Sequence, residues 1–284
     1  MLRKILVPVR GDGMSETVLG HAAALAMHHK AHILVAHCRA QVEDLIPYSV
    51  PLPSFTRETL RKQAHELAEQ EEAALRRDLH RLAEARGLSE TGSPDGTAAT
   101  VAFIEEYGRM ADVIAHNGRL ADLIVVAKPD RDRNLGTNSL KSALFRTGRP
   151  VLMCPPDREP PAEIGARIAI AWNGSLEAAR AVALTLDLAQ AATSVTVLTG
   201  GKGAPHGASA DELLDYYALR GITAEILRFD AKNPGAGLLD RTVEIGASLL
   251  VMGAYGHSHE RETLFGGNTQ AVVDGARIPV VMVH

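Results

Sequence analysis

Two stretches decide the fold: Lys4-Ile5-Leu6-Val7-Pro8-Val9-Arg10-Gly11 and Arg167-Ile168-Ala169-Ile170-Ala171-Trp172-Asn173-Gly174. Each is a basic residue, an apolar run, a polar residue and a glycine. Each is followed by an Ala-rich segment with helical spacing, ETVLGHAAALAMHHK in one and SLEAARAVALTLDLAQ in the other, and then by a second apolar run, AHILVAHC or SVTVLTG. The correspondence returns downstream. Ala121-Asp122-Leu123-Ile124-Val125-Val126-Ala127 parallels Ala247-Ser248-Leu249-Leu250-Val251-Met252-Gly253, and Pro150-Val151-Leu152-Met153 parallels Pro279-Val280-Val281-Met282. One unit is written twice. Between the copies, Cys154-Pro155-Pro156-Asp157-Arg158-Glu159-Pro160-Pro161 reads as a linker.

The apolar runs are continuous, the pattern of strands buried on both faces of a parallel sheet. Alternating with helical segments, they give βαβ units. The second copy predicts strands near 167–172, 194–199, 222–228, 248–253 and 279–283, with helices near 175–191, 209–220, 235–246 and 267–276. The first copy matches, with one insertion: a long charged helix from about Phe55 to Arg86. Leu60, Ala64, Leu67, Ala74, Leu75, Leu79 and Leu82 give it a narrow apolar stripe. Such a helix either reaches a partner or lies as an ordinary amphipathic surface helix, and the second reading is preferred. The expected fold class is α/β: two tandem doubly wound, Rossmann-like, five-stranded parallel sheets, in domains 1–156 and 163–284.

Composition narrows the function. The 284 residues are 46% hydrophobic and 23% charged, with a formal net charge of −4 and 4% aromatics. That balance gives no basic field and no stacking platform for nucleic acid. No run approaches the ~18 apolar residues of a membrane span, and the apolar run at the N-terminus is too short for a signal-peptide core. The expected partners therefore include neither nucleic acid nor membrane, and the expected location is the cytoplasm. Cys38 and Cys154 carry no sign of an oxidising compartment.

In an open parallel sheet, ligands bind beyond the carboxyl ends of the strands, where the strand order reverses. Two such ends stand out in the second copy. One is Ala171-Trp172-Asn173-Gly174. The other runs from Met252-Gly253 through Gly256, His257 and His259 to Gly266-Gly267-Asn268-Thr269. Gly253 and Gly256 admit close backbone approach. Gly266 and Gly267 precede a helix whose first amides are unpaired and attract anions. Asn268 and Thr269 add donors. His257, His259 and Arg261 add positive charge.

This G-x2-G-x9-G spacing resembles the ATP-binding signature of the universal stress protein family. The openings KILVPVRG and IAIAWNGS, the loop GAYGHSHERETLFGGNTQ and the closing IPVVMV resemble that family's recurring segments across essentially the whole chain, twice. The resemblance implies an adenine nucleotide alpha hydrolase-like fold, a role in stress survival, and ATP (or AMP or ADP), with or without Mg, held by Ala171, Trp172, Asn173, Gly174, Met252, Gly253, Gly256, His257, Gly266, Gly267, Asn268 and Thr269. Two positions depart from the family pattern. Gly267 stands where a Ser or Thr is usual, losing a hydroxyl but keeping the amide. Asn173 stands where an Asp is usual, leaving an amide oxygen that still accepts.

The first copy departs further. Ala127-Lys128-Pro129-Asp130 has no glycine at the first two motif positions, and Arg10 cannot accept from adenine. This copy reads as degenerate for nucleotide. Arg10, Lys128, Arg131 and Arg133 form either an anion site or, preferably, a solvated basic rim. His257, His259 and Glu260 lack further ligands for structural zinc. His28-His29 reads as a helix C-terminal pair. Gly200-Gly201-Lys202-Gly203 lacks P-loop spacing. Trp172 packs either on adenine or in the core. No catalytic residue and no metal ligand is assigned. The expectation is a nucleotide-responsive protein acting through partner contacts, with a bare scaffold and a slow ATPase as alternatives. The two copies are expected to pack as an internal pseudo-dimer through Val151–Cys154 and Val280–Val283, and the whole chain is a candidate homodimer.

Overall fold

The computed structural model describes residues 2–9, 14–39, 54–130, 132, 135–156, 159–200, 207–255 and 267–284. The N-terminal half contains β1 (Lys4–Val9), α1 (Ser15–His29), β2 (His32–Arg39), α2 (Ser54–Arg86), β3 (Ser89–Glu90), β4 (Thr100–Tyr107), α3 (Met110–Gly118), β5 (Leu123–Ala127), α4 (Thr137–Arg146) and β6 (Val151–Cys154). The C-terminal half contains β7 (Arg167–Ala171), α5 (Leu176–Leu184), α6 (Leu186–Ala191), β8 (Ser194–Gly200), α7 (Ala210–Ala218), β9 (Ala224–Phe229), α8 (Pro234–Glu244), β10 (Leu249–Gly253), α9 (Gly267–Gly275) and β11 (Val280–Val283).

The strands form one sheet in the order β3-β4-β2-β1-β5-β6-β11-β10-β7-β8-β9. Each half has its first strand third from its own outer five-strand edge, the doubly wound order. The short β3 adds a sixth strand to the N-terminal half. Neighbours within each half run parallel. The halves join antiparallel, with Val280 opposite Met153 and Met282 opposite Val151. The two five-stranded sheets expected from the sequence are continuous through their final strands, Val151–Cys154 and Val280–Val283: each is a fully buried apolar edge, and pairing the two satisfies both rows of backbone groups.

The repeat extends to individual hydrogen bonds. Asp122 N–H donates to Lys4 O as Ser248 N–H donates to Arg167 O, each at 2.8 Å. Lys128 N–H donates to Cys154 O as Ala254 N–H donates to Val283 O, again each at 2.8 Å.

Successive strand residues point to opposite faces, and the core divides accordingly. Ile5, Val7, Leu249 and Val251 pack under α1, α2, α5, α6 and α7. Leu6, Leu250 and Met252 pack under α3, α4, α8 and α9. In α2, Leu75, Leu79 and Ala83 are buried beside α1, whereas Leu67 is 58% exposed. The apolar stripe therefore works only over the C-terminal part of the helix. A polar clamp ties α2 to the sheet: Arg39 bonds Glu105 at 2.6 Å and Tyr107 at 3.1 Å and reaches His65, while Arg76 lies over the Phe103 ring.

The predicted helix at 175–191 is interrupted. Thr185 donates its hydroxyl to Ala181 O at 2.6 Å and adopts φ −117°, ψ 17°, which ends α5 before α6 begins. Threonine side chains compete with the helical ladder in this way.

Candidate functional site

The strand order reverses between β7 and β10, so a crevice belongs at their carboxyl ends. The register brings the two candidate segments together, with Met252 opposite Ala171. Trp172, Asn173 and Gly174 follow β7, and α9 opens at Gly267, Asn268 and Thr269. Gly256, His257 and Gly266 lie outside the described residues, as do His259, Glu260 and Arg261.

The two ends of this crevice differ. On the β7 side, the candidates are committed to packing. A Cβ on Gly253 would stand 2.5 Å from Ala178 N and Glu177 C, so the end of β10 touches the first turn of α5. Gly174 has φ +73°, and its Cβ would meet Ala208 O at 2.7 Å. Gly207 presses back against the Gly174 carbonyl. Trp172 is 7% exposed, and its indole N–H donates to Ala208 O at 3.0 Å. It belongs to the core and holds the segment leading into α7. Sequence offers no sign of these contacts, since their partners lie about 35 residues away or, for Gly253, in the first turn of α5.

Asn173 is exposed. Its Oδ1 accepts from Ser175 N at 3.0 Å, and Ser175 Oγ in turn accepts from Ala178 N at 3.2 Å to cap α5. An amide oxygen has a second lone pair, so Asn173 can still accept from a ligand amino group.

On the α9 side the surroundings are open among the described residues. None of them lies within 4 Å of the Cβ direction of Gly267, which is exposed, as is Asn268, whereas Thr269 is buried at 6%. The first amides of α9 have no acceptor within the helix and sit at the positive end of its dipole. An anionic group fits there; Thr269 faces inward and is poorly placed to contact it.

Sequence reasoning assigns no role to Tyr255. It sits just beyond β10 with φ 72°, its ring 4.8 Å from that of Phe145 and 6.1 Å from that of His284. Burial pushes its hydroxyl pKa up. The first loop residues past β10 therefore turn toward the junction of the halves. An aromatic flanked by motif glycines was the available signal.

In the N-terminal half, the equivalent loop is pinched shut after Pro129 by paired bonds between Asp130 and Leu135, at 3.0 and 2.9 Å. Lys128 turns away from it: its amine donates to Asp274 O at 2.6 Å and Ala276 O at 3.2 Å, at the C-terminal end of α9. Arg10, Arg131 and Arg133 lie outside the described residues, as do Gly201, Lys202 and Gly203. Among the described residues, no group of three or more His, Cys, Asp or Glu could hold a metal ion, and no helix is long and apolar enough to cross a membrane. At the end of α1, the His29 pKa is lowered to about 4 by burial and by neighbouring His28, so it is neutral at pH 7 and adds no charge to the helix end.

Comparison with known proteins agrees with this architecture. Residues 166–284 match the model of the Universal stress protein family. No curated protein matches the chain. Among solved structures, the chain is similar to a universal stress protein from Archaeoglobus fulgidus, with TM-score 0.69 and 14% identity over 99% of this chain and 97% of that one. It is also similar to a functionally unknown protein from Pseudomonas aeruginosa, with TM-score 0.56 and 16% identity over 99% and 92%. These likenesses extend the fold over both halves. Residues 166–284 thus form a domain of the universal stress protein family, joined edge to edge to an N-terminal half built on the same strand order.

Proposed function

We propose that the C-terminal half binds an adenine nucleotide, ATP foremost, between the carboxyl ends of β7 and β10, and acts through nucleotide-dependent partner contacts rather than fast catalysis. AMP and ADP are the related ligands, and Mg is the ion expected with ATP. The observation that carries this reading is the open N-terminus of α9 at Gly267, set beside the strand-order reversal. Asn173 supports it from the base side with a free lone pair. In this reading the chain comprises two domains, 1–156 and 163–284, and the first serves as a degenerate structural copy. The β6–β11 seam makes the pair an internal pseudo-dimer, acting in the cytoplasm without nucleic acid or membrane, and homodimerisation of the whole chain is compatible with it.

The test is calorimetric titration with ATP, ADP and AMP, with and without magnesium, on the intact chain and on Gly267→Asp. The substituted carboxylate enters open space, so the fold is kept while like charge faces the phosphates. ATP affinity should fall at least about tenfold, which corresponds to about 1.4 kcal/mol. A scaffold with no nucleotide is the second reading. It is favoured by the commitment of Gly253, Gly174 and Trp172 to packing, and absence of heat with every nucleotide would select it. A slow ATPase would show phosphate release that Gly267→Asp abolishes.

A further inference from the structure

The far end of α9 is held from the other half of the chain. Lys128 follows β5, and its backbone N–H is fixed on Cys154 O at 2.8 Å. From there the half-buried side chain reaches across the β6–β11 seam, and its amine donates to Asp274 O at 2.6 Å and Ala276 O at 3.2 Å. The last carbonyls of a helix have no intrahelical donor, and the negative end of the dipole lies there, so a cation suits the position. α9 has no basic residue in its own last turn and carries Asp274 instead, a charge of the wrong sign for that end. The last helix of the N-terminal half, α4, has Arg146 in its last turn. α9 thus borrows a cation that α4 supplies for itself. Burial lowers the pKa of the Lys128 amine; the Asp274 charge opposes this and Arg277 adds to it.

The repeat shows that this contact belongs to one copy alone. Matching bonds, from Lys128 N–H to Cys154 O and from Ala254 N–H to Val283 O, put Ala254 at the equivalent position, and alanine has no amine. The next residue, Tyr255, packs its ring 4.8 Å from that of Phe145 in α4. Each half therefore touches the last helix of the other, through a cation in one direction and an aromatic contact in the other.

α9 has nine residues, about 13 Å of helix, and a helix this short is marginal by itself. Packing sets its place. A Cβ on Gly235 of α8 would stand 2.8 Å from Asn268 O at the start of α9, and a Cβ on Gly275 would stand 2.8 Å from Leu239 Cδ1 at its end. Lys128 adds a polar anchor from outside the C-terminal half.

We infer that Lys128 is a positioning residue for the start of α9: by holding the carbonyls at the far end, the N-terminal half keeps the helix ordered and its first amides aimed at the crevice. The inference rests on the nucleotide reading for its ligand. It gives the N-terminal half a regulatory task, because displacement of Lys128 lowers affinity at the opposite end of α9.

The test compares the full unmodified chain with Lys128→Met, which keeps the apolar stem and loses the charge and donors, with Lys128→Arg, and with Leu79→Ala as a destabilised control far from α9. Amide hydrogen exchange is followed in α9 and in α5 without ligand, and ATP affinity is measured by calorimetry. Lys128→Met should speed exchange in α9 while leaving α5 unchanged, and should weaken ATP about two- to fivefold, the range for a cation at a helix C-terminus. Lys128→Arg should recover most of both effects. Leu79→Ala should lower stability further and leave ATP affinity unchanged. Exchange in α9 unchanged by Lys128→Met, or rising together with that of α5, would overturn the inference. So would equal ATP affinity in Lys128→Met and the unmodified chain, or a Lys128→Arg protein as weak as Lys128→Met. Absence of ATP binding by the unmodified chain would overturn the nucleotide reading and the regulatory task with it, and the exchange measurement alone would then decide whether Lys128 holds α9.

Discussion

Replacing Gly253 with alanine should destabilise the protein even without any ligand. The new methyl would sit 2.5 Å from both Ala178 N and Glu177 C, and 2.9 Å from Glu177 Cβ. Ordinary contact begins near 3.4 Å, so β10 and α5 must separate by 3.4 − 2.5, roughly 0.9 Å. Both partners are backbone held in regular elements: β10 is hydrogen-bonded on both sides, and α5 is capped by Ser175. Neither can yield by a simple rotamer change. Overpacking of this kind costs about 1–3 kcal/mol, a fall of several degrees in Tm for a chain of this size. Gly267→Ala is the matched control. Its methyl meets open space, and alanine favours the helix, so stability should hold within about 0.5 kcal/mol. The assay is urea denaturation of the ligand-free protein followed by far-UV circular dichroism. An unchanged midpoint for Gly253→Ala would refute the packing role and return that glycine to a purely ligand-facing one.

Trp172→Phe should cost about 1–3 kcal/mol, because Ala208 O loses its indole donor. The unmodified protein's single tryptophan should emit at the short wavelengths of a buried ring, and denaturation should shift that emission to the red. Along α2, Leu79→Ala should cost about 2–5 kcal/mol and Leu67→Ala less than about 0.5, measured by the same denaturation. Stability should fall on acidification below about pH 6.5, because burial lowers the pKa values of His21, His29, His32 and His37. Between the folded and unfolded pKa values the unfolded chain binds more protons, so the loss for His29 runs from about pH 6.5 to about 4. His29→Asn should flatten that part of the profile, and a profile of equal slope would count against it.

The sheet was legible because its signal is local. Continuous apolar runs such as Leu249–Met252 are buried on both faces and read directly as parallel strands, and in the C-terminal half the predicted bounds fall within two residues of the observed ones. The interruption at Thr185 was not legible, because a threonine in an Ala-rich helix usually causes no break. For the candidate site, the meeting of the two strand ends was legible, and the surroundings of each residue were not. Position follows from topology, which places Ala171 and Met252 side by side. Role depends on what fills the space over each residue. Gly253, Gly174 and Gly267 look alike in sequence. The first meets the turn of α5, the second meets the backbone at 207–208, and the third meets none of the described residues. Likewise, the free lone pair of Asn173 and the commitment of Trp172 follow from hydrogen bonds whose partners no motif names.

The central claim is that the open start of α9 is a nucleotide-phosphate site. Titration of ATP into the intact chain and into Gly267→Asp, with matched denaturation midpoints as the control for folding, tests it most directly. The account predicts saturable binding of one ATP per chain, weakened at least tenfold by the substitution. No binding to the unmodified chain, or equal affinity in the two proteins, would contradict it.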